Sequence, residues 1–591
     1  MRRSFFLRFS LGCCGLLVSV PFLNPYHYYP FPTFYTEWLA FAIGLVALAA
    51  MPVAGSKNPI PVPGMASGLL LLTLVVVLQA AMGWVVYPLR SALVAVYLIW
   101  AALVVLQGAW LKSEVGESAI SRTLQWWLAL GGVLAAASGF VLYYHVGLPP
   151  GVEVAMRSIN EMFGTVAQRN NFADYLGCAL VSVAFLHARN TLSLLPALVS
   201  ALPLAAGMAL SGSRASWVYI GIVPALALLL RTAGRAEEAK EIFKVAYFAL
   251  AVFLLVQVLN VSTEIFAGPS GKPHSAVERL VDEGNLGPSD SARGQLLLYA
   301  WLMFRSNPFF GAGFGEFAGR AFELAADLPG RVPPVLDRHS HNLLAQLLAE
   351  GGVASLLCFA LPLGTWLLRT PWRSLSPDRC WAIGVLAVIG FHSMVEFPLW
   401  HANFLGVFAL LLGVTSPAGA VLEATRLRRG VIGLVVVAGG LTALGALSDY
   451  RAAERWYFAL EAKGARGEDL GRDGLESLLR LRESSLFGPY LERIASEAIV
   501  LEERDLADKL ALNTQVMRAY PVPSVVLRQI ALLALSGRDA EATRVLRGAA
   551  RVYPDRVRQW LPVLEQMARD HHGSFSDLLA VARTQLGESG N

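Results

Sequence analysis

Asp337-Arg338-His339-Ser340-His341-Asn342 puts a carboxylate, a guanidinium, two imidazoles and an amide into six residues. An imidazole titrates near pH 6.5 when unperturbed, so its neutral form can take a proton under physiological conditions. General base catalysis of that kind contributes typically about 10²- to 10⁴-fold. His339 and His341 are two residues apart, so on a helix they would face different ways and at most one would point at a given substrate. Asp337 could orient an imidazole through its second ring nitrogen. A metal site is the rival chemistry for a histidine pair, but no third ligand at recognisable spacing, no HExxH and no DxD-type cluster accompanies it. The five cysteines, Cys13, Cys14, Cys178, Cys358 and Cys380, lie in or beside apolar runs without zinc-site spacing. No metal is therefore expected. The plain alternative for the cluster is a polar cap on an apolar helix.

Three arginines invite a second chemistry. Arg169 sits in Gln168-Arg169-Asn170-Asn171, Arg214 ends Ser211-Gly212-Ser213-Arg214, and Arg293 follows Ser291-Ala292. Each abuts an apolar or amphipathic run. Guanidinium groups present planar, permanently charged donors that suit phosphate oxygens, so three at separate boundaries point to a common diphosphate. Glu396-Phe397-Pro398-Leu399-Trp400-His401 lies between two apolar runs. A carboxylate there is costly unless paired, so Glu396 either fixes helix packing or lines a polar cavity. Gly311-Ala312-Gly313-Phe314-Gly315 lacks the strand and the GK[ST] of a phosphate loop and reads as a turn after Asn307-Pro308.

The elements that must position these residues are membrane helices. Of the 591 residues, 55% are hydrophobic and 15% charged, and mean hydropathy is +0.52. A soluble domain carries about a quarter charged residues. Apolar runs of about 20 residues, the length that spans lipid, recur through the first 450 or so residues. Spans are expected near 5–23, 34–52, 64–83, 90–111, 123–146, 172–189, 191–210, 215–231, 245–261, 343–368, 380–396, 402–418 and 431–448, about 12–13 in all. Met1-Arg2-Arg3 and the apolar run after it resemble a secretory signal without an Ala-x-Ala-like cleavage site, and read as a retained first span.

Lys and Arg collect in alternate connections, including Lys112, Arg189, Arg369, Arg373 and Arg379. By the positive-inside rule those connections are cytoplasmic. Segments 24–33, 147–171, 211–214, 262–342 and 397–401 and the tail then share the opposite, periplasmic face. The arginines there, Arg157 among them, run against that rule and suggest an anionic ligand. The aromatic segment 24–33 reads by default as an interfacial belt.

Beyond residue 448 the composition shifts to Arg, Glu, Ala and Leu with helical periodicity. Two amphipathic helices within 523–554, joined at Ser536-Gly537-Arg538, roughly follow the tetratricopeptide pattern. The expected division is a membrane domain, 1–448, with a large periplasmic loop at 262–342, and a soluble helical tetratricopeptide-like domain, 449–591. The fold class is all-α.

Taken together, Ser-Gly-Ser-Arg214, Arg293 with Asn307-Pro308 and Gly311-Ala312-Gly313, and His-Ser-His341-Asn342 before a helix resemble the O-antigen ligase superfamily. Gln168-Arg169-Asn170-Asn171, Glu396-Phe397-Pro398-Leu399-Trp400 and the helical tail are similar to its protein O-oligosaccharyltransferase branch, often called PglL-type. The resemblance implies a GT-C-like glycosyltransferase that moves a preassembled glycan from undecaprenyl diphosphate to Ser or Thr hydroxyls of exported proteins such as pilins. It further implies a bacterial inner-membrane location, a periplasm-facing active site, and no cofactor beyond the lipid-diphosphate-glycan donor. In this reading His341 matches the family's essential histidine, with His339 as the second candidate base. Arg214 and Arg293 match its diphosphate-binding arginines, and Arg169 joins them. Gln168, Asn170, Glu396 and His401 fall to the acceptor or glycan site, although His401 stands where the branch has a tyrosine. Partners would be the lipid-linked glycan, an acceptor protein and membrane lipids, with no nucleic acid. The alternatives are ligation to lipid A core or glycan polymerisation. From other classes, a lipid-glycan transporter would carry its polar groups within the spans, and a scaffold would use the tail to recruit partners.

Overall fold

A computed structural model describes residues 2–54, 59–146, 161–269, 271–275, 291–327, 335–417, 420–422, 426–464, 476, 478–482, 485–571 and 573–587; Arg157 lies outside them. The described chain is helical almost throughout, as the apolar periodicity requires. In order the helices are α1 (Arg2–Leu17), α2 (Phe34–Ala54), α3 (Gly64–Ala81), α4 (Pro88–Val115), α5 (Glu117–Tyr143), α6 (Arg169–Ala188), α7 (Leu194–Leu210), α8 (Ser216–Thr232), α9 (Ala236–Ser262), α10 (Ala292–Ser306) and α11 (Phe317–Asp327). They continue as α12 (Leu343–Arg369), α13 (Pro377–His392), α14 (Ala402–Thr415), α15 (Arg426–Gly464), α16 (Gly488–Glu497), α17 (Leu506–Ala519), α18 (Pro523–Leu535), α19 (Asp539–Val552), α20 (Pro554–His571) and α21 (Ser574–Gln585). Two-residue strands, Ile60–Pro61 and Val421–Leu422, pair antiparallel.

Each expected span is a helix. Among the described residues nine helices are long and apolar enough to cross a membrane, whereas four expected spans form the shorter α7, α8, α13 and α14. A multi-pass membrane protein follows. The large loop expected at 262–342, with an amphipathic helix after Arg293, carries α10 there and a second helix, α11. Helix α10 buries Leu296, Tyr299, Ala300 and Met303 on one face and exposes Leu297, Leu298 and Trp301 on the other.

The chain divides into two compact units. One comprises Met1–Leu71, Tyr97–Leu286 and Cys358–Leu444; the other comprises Leu72–Val96, Gly287–Leu357 and Gly445–Asn591. This division does not follow the sequence order of membrane region and tail, because residues 72–96 and 287–357 group with the tail.

In the first unit, charges at one set of helix ends pair with each other. Arg3 meets Glu114, Arg189 meets Asp378, Arg379 meets Glu117 at 2.8 Å, and His187 lies 2.9 Å from Glu241. Arg3, Lys112, Arg189 and Arg379, which the charge rule groups on one face, thus each have an acidic neighbour. Lys112 reaches the same Glu117 at 3.7 Å.

The second unit is organised around a break in α12. Gly352 has φ 64° and ψ −164°, so the helix stops and restarts there. The break would orphan backbone groups, which an interior cannot leave unpaired, and residues 307–317 fill it. The Ala312 amide donates to Ala349 O at 2.8 Å and Gly313 N to Glu350 O at 3.0 Å, while Val353 N and Ala354 N donate to Pro308 O and Phe309 O at 2.9 and 3.1 Å. Gln79 clamps the crossing: its Nε2 donates to Phe310 O at 2.5 Å and Glu350 O at 2.9 Å, and its Oε1 accepts from Phe314 N at 3.0 Å. Glu350 Oε1 accepts from Gly315 N at 2.9 Å, and Arg90 donates to Gly315 O at 2.6 Å. The Gly311-Ala312-Gly313 turn is therefore an inserted plug.

Two glycines make that crossing possible. A Cβ on Gly311 (φ 69°) would collide with the backbone of Glu350, and one on Gly352 would collide with the backbone of Phe309. Gly352→Ala and Gly311→Ala should each lower stability by roughly 3 kcal/mol, the upper end for overpacking. Gly440→Ala, where a Cβ meets nothing within 4 Å, should be near neutral. Thermal unfolding of the purified proteins in detergent checks this, and equal melting of Gly352→Ala and Gly440→Ala would contradict it.

Candidate functional site

The polar cluster 337–342 belongs to the second unit and leads into α12. Asn342 caps the helix, its Oδ1 accepting from Ala345 N at 3.0 Å, a standard way to satisfy a free first-turn amide. Ser340 is buried; its N–H donates to Gln346 Oε1 at 2.7 Å and its hydroxyl to Asn342 O at 3.0 Å. Between these anchors His341 adopts φ 54°, the left-handed region that a non-glycine residue occupies at a cost. This backbone bends the chain back, so that His341 Nε2 lies 3.1 Å from Asp337 Oδ2, both side chains half-buried or nearly so.

Burial acts to raise the Asp337 carboxyl. The hydrogen bond and charge of His341, with the Arg338 amide and His339, outweigh it and hold the group below the ordinary carboxylate value. Asp337 is thus an ionised orienting partner for His341, as in other carboxylate–imidazole pairs. His339 is half-buried one residue before Ser340. Arg338 points outward over the ring of Tyr520, 5.8 Å from its centroid, and Arg90 lies 5.6 Å from the same centroid. Cations within about 6 Å of an aromatic face are attracted to it. Burial pushes the Tyr520 phenol well above its ordinary value, which keeps it neutral between the two guanidiniums. Arg293, also of this unit, is half-buried in the first turn of α10, where Ser291 caps the helix by accepting from Gly294 N at 3.1 Å.

Gln168, Arg169, Asn170, Arg214, Glu396 and His401 belong to the first unit. Gln168 is the N-cap of α6, its Oε1 accepting from Asn171 N at 2.5 Å. The preceding turn is held by Thr165, whose amide and hydroxyl bond Ser138 and Phe22 O at 3.0 Å each. His27 adds a third hold, its Nε2 2.8 Å from Thr165 O. The segment 24–33 therefore packs partly as a brace under Gln168: His27 is buried while Tyr26 and Tyr29 remain exposed. Arg169 is engaged by Glu161. Arg214 is half-buried beyond the tight Ser211–Ser213 turn, whose two serines are buried.

The structure brings Asn170 and Glu396 together, Nδ2 donating to Oε1 at 2.8 Å. One helical turn deeper, His392 Nδ1 lies 2.6 Å from Asp174 Oδ2, with both side chains fully buried. Asn170 and Asp174 are four apart on α6, and His392 and Glu396 are four apart at the end of α13, so the two pairs form successive rungs. His401 is held by Glu37: Nδ1 lies 2.7 Å from Oε1, while Oε2 accepts from Ala402 N at 2.6 Å and from the Tyr97 hydroxyl at 3.1 Å. Among the described residues no group of three or more His, Cys, Asp and Glu is assembled to hold a metal.

The family described as O-Antigen ligase matches residues 199–360. The family described as Virulence factor membrane-bound polymerase, C-terminal, matches residues 380–566. The chain is also similar to the General O-oligosaccharyltransferase of Acinetobacter baylyi (strain ATCC 33305 / BD413 / ADP1), at 23% identity over 411 residues, covering 68% of each protein. These matches support the O-antigen ligase superfamily. The same matches support its protein O-oligosaccharyltransferase (PglL-type) branch and an enzyme of glycosyltransferase type. The ligase match contains Arg214, Arg293, His339 and His341, and the second match contains Glu396, His401 and most of the helical tail. Gln168, Arg169 and Asn170 precede both.

Sequence reasoning missed Asp174, His392, Glu37 and Tyr97. The signal for the first two was present: ionisable groups inside apolar runs are expensive and imply a partner, and each lies one helical turn from a residue already singled out.

Removing one member of a fully buried hydrogen-bonded pair leaves the other unsatisfied, at about 1–3 kcal/mol. His392→Ala should therefore destabilise the protein by that amount. Denaturation of the variant in detergent tests it, and an unchanged midpoint would remove the pair from the framework. Asp337 has a lowered folded-state pKa, so its contribution is fully present above the ordinary value of 3.8 and disappears as pH falls through the folded value. The melting-temperature difference between Asp337→Asn and the wild type should shrink in strong acid, where the carboxylate is protonated. A difference that persists undiminished in strong acid would show that the carboxylate is not the group involved.

Proposed function

We propose that this membrane glycosyltransferase moves a preassembled glycan en bloc from undecaprenyl diphosphate to Ser or Thr hydroxyls of exported proteins, at the periplasmic face of a bacterial inner membrane. The observation that carries the chemistry is the Asp337–His341 pair, closed by the left-handed backbone at His341. With Nε2–H held by Asp337, Nδ1 is the basic nitrogen. It takes the acceptor hydroxyl proton as that oxygen attacks the anomeric carbon; the carbon–oxygen bond to the diphosphate breaks, and the lipid diphosphate leaves with the electron pair. Single displacement inverts the anomeric configuration. Arg293 and Arg214 are the residues assigned to neutralise the departing diphosphate, an electrostatic role that costs no reorganisation when donors are fixed in advance. Arg169 can join them only by exchanging Glu161 for the diphosphate. Asn170 and Glu396, joined by a hydrogen bond, and the Gln168 cap are assigned to acceptor or glycan contacts, with His401 kept in register by Glu37. The donor is the only small molecule required, with no cofactor and no metal. The helical hairpins of the tail serve as a tetratricopeptide-like docking domain.

Protein acceptors are favoured over lipid A core by the similarity to the General O-oligosaccharyltransferase of Acinetobacter baylyi. Glycan polymerisation is the second reading, favoured by the description of the family matching residues 380–566. Purified protein given lipid-linked glycan and an exported acceptor protein, with excess EDTA, should yield glycoprotein of inverted anomeric configuration. His341→Ala should lower kcat about 10²- to 10⁴-fold with the protein still inserted, and His339→Ala should keep most activity. Rescue only by a divalent metal, elongation of the lipid-linked glycan without protein modification, or a dead His339→Ala beside an active His341→Ala would each overturn a stated part of the reading.

A further inference from the structure

Within the second unit, α11, α17 and α19 enclose a groove of about 1030 Å³. Close helix approach shapes its walls. A Cβ on Gly319 would collide with the carbonyl oxygen of Arg518, and one on Gly548 would come within 3.0 Å of Ala326 Cβ, so α11 lies tightly along both partner helices. Phe322 and Met517 give the groove an apolar element, and Arg518, Arg544, Arg547 and Arg551 line it.

The charge is unusual for this domain. Elsewhere in the tail arginines are paired locally, as in Arg538–Glu541, Arg558–Asp555 and Arg583–Glu565, each at 2.7 Å. None of the four groove arginines makes an ion pair among the described residues. Arg544, Arg547 and Arg551 follow spacings of three and four, so they line one face of α19, an arrangement of like charges that opposes helix stability. Of the two lining acids, Glu323 is engaged by Arg320 at 3.1 Å, so the lining sets Asp327 beside four guanidiniums, with Glu541 and Glu316 acting on Arg544 and Arg518 from outside it.

We infer that this groove binds an extended acidic segment of the acceptor protein, its carboxylates on the arginine row and its apolar side chains on Phe322 and Met517. This rests on glycan transfer to protein. Guanidinium forks recognise carboxylates with two parallel hydrogen bonds, and a concave groove with an apolar element admits a single peptide strand, whereas a planar lipid surface would meet only its rim.

The test uses the full-length protein in nanodiscs of zwitterionic lipid, with a fluorescent alternating Glu/Ala peptide and its Gln/Ala counterpart as probes. The Glu peptide should bind and the Gln peptide should not. The double substitution Arg544→Glu, Arg547→Glu should weaken Glu-peptide binding by about tenfold or more. In transfer assays the same variant should raise KM for an acidic acceptor protein by a similar factor and leave kcat and the KM for lipid-linked glycan unchanged. Equal binding of both peptides, an unaffected double variant, or competition by anionic lipid vesicles that the double variant abolishes while peptide binding persists would overturn the assignment. Peptide binding without any transfer to protein would remove the acceptor role together with the proposed function. Transfer to protein with an unaltered acceptor KM in the variant would remove the groove assignment alone.

Discussion

Unwinding a helix in a dry interior strands carbonyl and amide groups that water cannot reach, and the second unit depends on how α12 meets that constraint at Gly352. The inserted strip 307–317 supplies donors to Ala349 and Glu350 and acceptors for Val353 and Ala354, so the gap is closed by backbone from another part of the chain. Gln79 and Glu350 then lock strip to helix. What hangs from this joint is the first half of α12, and with it the Asn342 cap and the bent His341 backbone. A histidine in a disfavoured conformation stays there only if its surroundings over-determine it. Here one flank is anchored through Ser340 and Gln346, and the other through Arg338 on Tyr520.

The first unit solves a different problem, that of ionisable groups among apolar helices. Asp174 with His392, Glu396 with Asn170, and Glu37 with His401 each give a carboxylate a partner from a distant part of the sequence. The two rungs between α6 and α13 also set the rotation of Glu396 about its axis, because a residue one turn from a fixed pair has little freedom left. The Glu37 carboxylate performs a similar service for His401 by bonding both its ring and the following amide.

Membrane helices were legible because length and apolarity are local properties, and all thirteen expected spans are helical. Arginines at helix boundaries, the tail's hairpin at Ser536–Arg538 and the cap preceding α12 were equally readable, since each rests on a few consecutive residues. The partner of Asp174 was not, because its complement lies far along the chain and sequence alone gives no register between α6 and α13. Gly311-Ala312-Gly313 shows the same limit: the sequence marks a turn, but the reason for Gly311 is its crossing with the Glu350-Gly351 backbone, and Gly313 lies against Val85 and Trp84. Nor could segment 24–33, whose aromatics suggest an interfacial belt, reveal that His27 braces the turn before Gln168. The grouping of residues 72–96 with the tail is likewise invisible until Arg90 and Tyr520 are seen together.

Tyr520 gives this arrangement a temporal side. The ring that steadies Arg338, next to the Asp337–His341 pair, comes from the junction of α17 and α18, late in the chain. During synthesis the apolar helices and the histidine segment emerge well before that ring exists. The segment carrying His341 therefore acquires its last support only when the helical tail has been made and has folded, so that the nascent chain can enter the membrane long before this segment is fully braced.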